Sequence, residues 1–310
     1  MPSRRIEAVA FIVGAASLGT EIAAARLLAP WFGASTIVWA NTIATVLLAL
    51  AIGYWFGGRI ADRDPSLQGL SRLVVLAAGL LAIVPFVAGP FLRVSVDALD
   101  SVEAGAFAGS LLAVLVLVAV PVLVLGMAAP YAVRLSVARV EEAGRITGRL
   151  YAISTVGSLA GVFLSALLLI PLVGTRRTFL AFALSLALVA VPALGRRFVL
   201  APVGVALLLA VPVGTVKSTA GTRVLWDHET EYQYARVVES GGERRLELNE
   251  GQAIHSVYRP GHWLTGDYWD EMLVLPFAAA RRAPWSVAIL GNAAGTTARA
   301  YGHYFPRARV

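Results

Sequence analysis

No cysteine occurs in these 310 residues, which excludes a disulfide framework, a thiolate metal site and a thiol nucleophile. Charge is scarce too. Only 15% of the residues are Asp, Glu, Lys or Arg, against about a quarter in an ordinary soluble domain. A signal-peptide cleavage site is also missing after the first apolar run, which is too long for a signal peptide's apolar region and reads as a retained span. What is abundant is apolar: 58% hydrophobic residues and a mean hydropathy of +0.73. Runs of about 18 or more apolar residues, enough to cross ~30 Å of hydrocarbon, continue to about residue 215. From Thr222 onward polar, charged and aromatic residues mix. The formal charge of +7 follows the same division, because Thr222 to Val310 holds ten Arg and ten acidic residues. The excess sits in the apolar part, as expected of loops facing lipid headgroups rather than a nucleic-acid patch.

Seven hydrophobic segments can be drawn, at 6–28, 36–57, 70–94, 104–128, 147–172, 178–195 and 198–215. Tyr54, Trp55 and Phe56 close the second and suit an interfacial aromatic belt. In the fifth, Gly157 and Gly161 are spaced to let another helix approach closely. Eleven arginines fall at one set of loop ends and five basic residues (Arg26, Arg93, Arg176, Arg177 and Lys217) at the other. That asymmetry puts the N-terminus in the cytoplasm. Seven crossings carry the remaining chain to the far side. The segment 198–215 is short and holds two prolines; if it does not cross, the chain returns to the cytoplasm, and the sequence leaves that choice open.

The polar part opens with strand patterns. "YQYARVVE" and "ERRLELNE" flank Ser240-Gly241-Gly242, a hairpin signal because glycine supplies the positive φ of tight turns. "DYWDEMLVLPFAAAR" reads as a helix with Asp267 as N-cap. "SVAIL" reads as a buried strand leading into the glycine turn Gly291–Gly295 and a further helix. The expected fold is therefore a polytopic α-helical membrane domain over 1–217, a β-strand lid over 222–265, and the start of a doubly wound, Rossmann-like α/β domain over 266–310.

Two features in the apolar part carry chemistry. Glu21 lies inside the first span, and an ionisable group in hydrocarbon costs several kcal/mol unless paired, protonated or facing a wet cavity. It is a candidate cation or proton site with Asn41, the alternative being a structural carboxylate bonded to Arg26, to Asn41 or to a loop arginine. Asn41 by itself suits an interhelical hydrogen bond. "GGRIADRDP" resembles the loop that major-facilitator transporters place between their second and third helices; its other reading is a solvated turn whose arginines set orientation.

Three longer stretches resemble the membrane-bound spermidine synthase-like proteins, polyamine aminopropyltransferases fused to a multi-span domain. They are "EIAAARLLAPWFGAS", "GRITGRLYAISTVGSLAGVFLSALLLIPLVGTR" and the interrupted series "TEYQYARVVES", "RRLELNEGQAIHS", "DYWDEMLVLPFAAA", "VAILGNAAGTTAR". The resemblance implies aminopropyl transfer from decarboxylated S-adenosylmethionine to putrescine or a related amine, with no metal. It also implies that Gln233, Gln252, Tyr268, Asp270, Gly291, Asn292 and Gly295 line the donor and amine sites. Where active synthases carry Gly-Gly-Gly-Asp-Gly, this chain has Gly291, Asn292, Ala293, Ala294 and Gly295, so Ala294 stands in place of the carboxylate that binds the aminopropyl ammonium. Trp269 stands at a histidine position of the family. The catalytic aspartate of the family is expected beyond Val310. The competing reading is a transporter or sensor of polyamines or other cations with a degenerate synthase-like domain. Expected partners are membrane lipid, a small cationic substrate and, optionally, a second copy of the chain; nucleic acid is not expected. The expected location is the cell membrane.

Overall fold

The computed structural model describes residues 2–99, 105–219, 221–280 and 282–310. Residue 104, which begins the fourth apolar segment, lies outside the described residues. The chain divides into two compact units. The first is Met1–Gly214 with Glu229–Gln233; the second is Thr215–His228 with Tyr234–Val310.

The first unit is helical: α1 (Pro2–Phe32), α2 (Thr36–Arg63), α3 (Leu67–Leu99), α4 (Gly105–Val114), α5 (Val120–Ser136), α6 (Ala143–Phe163), α7 (Ile170–Ala190) and α8 (Leu200–Ala210). Five helical stretches among the described residues are long and apolar enough to cross a membrane, the last being Val140–Leu194. Large apolar side chains such as Leu47, Leu167 and Leu172 stay exposed on these helices, as lipid-facing positions do. This is a membrane protein.

Local sequence explains the irregularities. Two π-helical turns, Leu115–Ala119 and Leu164–Leu169, join α4 to α5 and α6 to α7. Each immediately precedes a proline near a helix start, Pro121 and Pro171. Proline offers no N–H, and its ring displaces the carbonyl four residues earlier, so the helix widens there. Within the 55-residue run Val140–Leu194 the helix breaks at Gly174 (φ 83°, ψ 164°), a conformation that glycine adopts without a Cβ penalty.

Small residues let the helices touch through their backbones. A Cβ on Gly157 would stand 2.1 Å from the Phe11 carbonyl oxygen, and one on Gly161 at 2.1 Å from that of Ala15. Ser158 and Ser165 donate to the carbonyls of Gly14 and Gly19 at 3.1 and 3.0 Å. The close approach expected of Gly157 and Gly161 is thus made, by α6 on α1. Gly53 and Gly57 of α2 bring that helix equally close to Leu123 and Met127 of α5.

The last apolar segment, 198–215, is helical only over Leu200–Ala210, and Val211 is already extended. Arg176 Nη1 donates to the Pro212 carbonyl at 3.3 Å. The end of α8 therefore lies beside the start of the helix that follows Gly174.

In the second unit, β1 (Arg223–Glu229, its last residue counted with the first unit), β2 (Tyr234–Ser240), β3 (Glu243–Leu248) and β4 (Ile254–Tyr258) form one sheet in the order β1-β2-β3-β4. The hairpin β2–β3 pairs Ser240 with Glu243, and its two central residues, Gly241 (φ 58°) and Gly242 (φ 79°), are both left-handed. That is the turn whose twist matches paired strands. Val237, Leu246 and Ser256 stand in one row across β2, β3 and β4, and Glu239, Arg244 and Tyr258 in another on the same face. On the opposite face the buried Arg236 holds Glu247 at 2.6 Å and donates to the Lys217 carbonyl at 3.0 Å.

Then come α9 (Tyr268–Ala280) and α10 (Thr296–Tyr304), joined by the Tyr301 hydroxyl donating to the Met272 carbonyl at 2.6 Å. The expected strand "SVAIL" is reduced to a single parallel bridge between Ser286 and Arg309. Val287 N–H donates to the Arg309 carbonyl at 2.8 Å and Arg309 N–H to that of Trp285 at 3.0 Å. A parallel strand is stable when paired and covered on both faces. One short neighbour gives too few ladder bonds to extend it.

Candidate functional site

In the helical unit the two polar groups singled out from the sequence have separate fates. Asn41 is buried, and its amide donates to Ser110 Oγ at 2.9 Å and to the Phe107 carbonyl at 3.0 Å. It ties α2 to α4. Glu21 is half-buried and makes no hydrogen bond or ion pair with any described residue. The structure does not bring Glu21 to Arg26 or Asn41. Arg26 instead donates to the Thr230 carbonyl.

That bond belongs to a cluster with no counterpart in the sequence reading. The Glu229 carboxylate accepts from the Thr175 backbone N–H at 2.7 Å and from the Thr175 hydroxyl. Thr175 is the first residue after the break at Gly174, so its N–H has no helical carbonyl to bond. Glu229 supplies the missing acceptor and sets a negative charge at a helix start, where the helix dipole favours it. The Thr230 backbone N–H and hydroxyl donate to the Gln233 carbonyl, both at 3.0 Å, closing the segment into a tight turn. Gln233 thus enters the structure as a turn residue of the first unit.

In the second unit, the turn from Gly291 to Gly295 alternates left-handed residues: Gly291 (φ 84°), Ala293 (φ 43°) and Gly295 (φ 87°). Two of the three are glycine; Ala293 carries the strain of a Cβ in that region. The turn is fixed to the sheet. Ala294 N–H donates to Ser256 Oγ at 2.8 Å, and the Thr296 hydroxyl accepts from Val257 N–H at 2.8 Å. Gly291 and Asn292 are exposed.

Asp270 is occupied by its own loop. Its oxygens accept from the Thr265 N–H at 2.9 and 3.0 Å, from the Thr265 hydroxyl at 3.0 Å and from the Gly266 N–H at 2.7 Å. Tyr268 is half exposed, its ring 4.2 Å from that of the buried Trp269; burial, then the charge of Asp267, pushes its hydroxyl pKa up. Gln252 is exposed in the turn after β3.

A cavity of about 230 Å³ opens where the glycine turn meets the sheet, lined by Arg244, Arg245, Ser256, Tyr258, Ala294 and Arg299 among others. Of the glycine-turn residues it takes Ala294 alone, and no carboxylate lines it. Arg299 Nη2 donates to the Val257 carbonyl at 3.1 Å, and its guanidinium lies 4.4 Å from the Tyr258 ring centroid and 5.9 Å from that of Trp263. Arg244 pairs with Glu239 at 3.1 Å. Glu243 accepts from both Arg245 and Arg259. Burial would raise the Glu243 pKa, but these two guanidinium groups outweigh it and hold the carboxyl below its usual range.

Compared with known proteins, the chain matches no family model, no curated protein and no solved structure. Among the described residues no group of three or more His, Asp or Glu is placed to hold a metal ion. The residues that sequence reasoning missed are Glu229, Arg244, Tyr258 and Arg299. For Glu229 a faint signal existed: an acid shortly before a predicted strand, in a chain with few acids to place. For Arg299 there was none, since its partners come from β4 and the loop after it.

Proposed function

We propose that this chain is a membrane-embedded protein of the spermidine synthase-like group, whose second unit serves as a ligand-binding module on the non-cytoplasmic side. The orientation rests on the first unit. Arg26, the Gly174 break, Pro212 and the turn at Thr230 gather at one end, through the bonds from Arg26 to Thr230, Glu229 to Thr175 and Arg176 to Pro212. The ion pairs Arg149–Glu7 and Arg134–Asp62 belong to the other end, with the arginine-rich loops. Counting the break at Gly174 as a return and α8 as a crossing gives seven passes. The arginine excess then keeps the N-terminus in the cytoplasm, and the chain after Gly214 emerges outside.

The observation that carries the binding reading is the cavity beside the glycine turn, which has a guanidinium and no carboxylate. Aminopropyl transfer needs an acid to hold the ammonium of decarboxylated S-adenosylmethionine and a base to take the proton of the attacking amine. Ala294 offers neither, and Asp270 is bonded to its own loop. At the turn, the described residues thus offer no carboxylate to that ammonium. The backbone of the turn still supports the kinship: the left-handed Ala293 stands where the family motif has glycine.

A second reading, a cation path through the membrane, draws on Glu21, which lacks a partner among the described residues. It predicts that Glu21→Gln abolishes putrescine flux into vesicles holding the protein.

The absence of cysteine makes the first reading easy to test. Tyr232→Cys and Val140→Cys place single thiols at exposed positions at the two ends of the helical unit. A membrane-impermeant maleimide on intact cells is expected to label Tyr232→Cys and spare Val140→Cys. The opposite pattern overturns the orientation. Release of methylthioadenosine from putrescine and decarboxylated S-adenosylmethionine overturns the binding-module reading in favour of transfer.

A further inference from the structure

The cavity at the glycine turn is lined by three guanidinium groups and no carboxylate. We infer that this cavity is an anion site, built for a phosphate or carboxylate group and centred on Arg299. The inference rests on reading the second unit as a binding module, but it reverses the ligand class that the family resemblance implies.

Four observations converge. First, Arg299 has no carboxylate partner among the described residues. It uses one of its five N–H donors on the Val257 carbonyl and lies against Tyr258 and Trp263. A guanidinium held by aromatic rings keeps its remaining donors free for a planar, two-oxygen acceptor. Second, Arg244 reaches the same tyrosine ring, 6.0 Å from its centroid. Two guanidinium groups sharing one ring repel each other, and Glu239 offsets only one of them. An anion between them removes that repulsion.

Third, the cavity opens at the start of α10, a helix of nine residues whose dipole adds positive potential there. Ser256 Oγ already accepts from Ala294 N–H, so its own hydroxyl proton is available to a ligand oxygen. Fourth, Ala294 lines the cavity and brings no charge to it. An acid there would cancel the field of Arg299, whereas alanine leaves it intact. The volume of about 230 Å³ falls below the ~300–1,000 Å³ of pockets for drug-sized molecules. The ligand is therefore small: inorganic phosphate, or the phosphate or carboxylate end of a small metabolite.

Isothermal titration calorimetry on the full chain in detergent, with inorganic phosphate, pyrophosphate and citrate as separate titrants and spermidine as the cationic comparison, tests this. At least one anion is expected to bind, with Arg299→Gln weakening it tenfold or more. Ala294→Asp, at an exposed position with negative φ, is expected to weaken it comparably and leaves the thermal unfolding of the chain unchanged. Arg299→Lys should retain part of the affinity for phosphate and less of that for citrate. Which titrant binds best separates a phosphate site from a carboxylate site. Spermidine binding without any anion binding overturns the anion site and leaves the binding module standing. Failure of all four titrants overturns both. Anion binding of equal strength in the wild type, Arg299→Gln and Ala294→Asp puts the ion elsewhere and overturns the assignment.

Discussion

Glu229 offers the sharpest test of the helical unit, because one carboxylate completes the start of a helix broken at Gly174. Glu229→Ala deletes the acceptor for the Thr175 N–H, at 2.7 Å, and for the Thr175 hydroxyl. A hydrogen bond to a charged group contributes about 1.5–3 kcal/mol, and a buried donor left without an acceptor costs about 1–3 kcal/mol. Loss of the negative charge at the helix start removes about 0.3–1 kcal/mol more. The contributions overlap, and about 3 kcal/mol is a fair sum for local opening. At tenfold per ~1.4 kcal/mol, protection of the amides just after Thr175 should fall on the order of 100-fold. Glu229→Gln keeps one acceptor and loses the charge, so about a tenfold loss is expected. Amide hydrogen exchange read by mass spectrometry on the purified chain measures both. Equal protection in wild type and Glu229→Ala would refute the reasoning, because the Thr175 donors would then be satisfied without the carboxylate.

Three further outcomes follow from packing and charge. Gly157→Ala puts a Cβ 2.1 Å from the Phe11 carbonyl, where only backbone movement can relieve it, and should lower the thermal midpoint in detergent by the equivalent of about 1–3 kcal/mol; Gly144→Ala, in open space, is the control and should not. Arg236→Ala strands the buried Glu247 and is expected to cost about 3–5 kcal/mol, whereas replacing both by Met and Leu should cost far less; a denaturant titration followed by hydrogen exchange in β2 and β3 checks it. Glu243 has a folded pKa below its unfolded value, so its stabilisation is present above the ordinary carboxylate range of ~4.3 and is lost as pH falls through the depressed folded value. Exchange protection in β3 and β4 should therefore drop on acidification below about pH 4, and Glu243→Gln should flatten that dependence.

The membrane character and the helix contacts were legible because both are written at short range. Apolar runs report hydrocarbon, and glycines four residues apart fall on one helix face, as Gly157 and Gly161 do against α1. The hairpin was legible for the same reason, Gly241 and Gly242 carrying the turn. "SVAIL" misled because an apolar, β-branched pentapeptide states a preference for burial, while a parallel strand also needs neighbours. Asp270 was placed near a substrate by its position in a motif. In the structure Thr265 and Gly266, a few residues upstream, donate to both its oxygens, and nothing in a motif reveals such local bonding. The cavity joins Arg244 and Tyr258 to Arg299 across more than forty residues of chain. No spacing rule encodes that meeting.

The glycine contacts also bear on how the protein sits in a bilayer. A 31-residue α1 is about 46 Å long at ~1.5 Å per residue, and its apolar stretch 6–28 about 35 Å, somewhat beyond the ~30 Å of hydrocarbon; a single helix relieves such a mismatch by leaning. Here α1 cannot lean alone, because the Phe11 and Ala15 carbonyls are seated against Gly157 and Gly161 with no side chain between them to act as a bearing. Any change in bilayer thickness is met by the two helices as one double-width strut. The strut carries Arg26 at its far end, so a thinner or thicker membrane tips the Thr230 turn along with it.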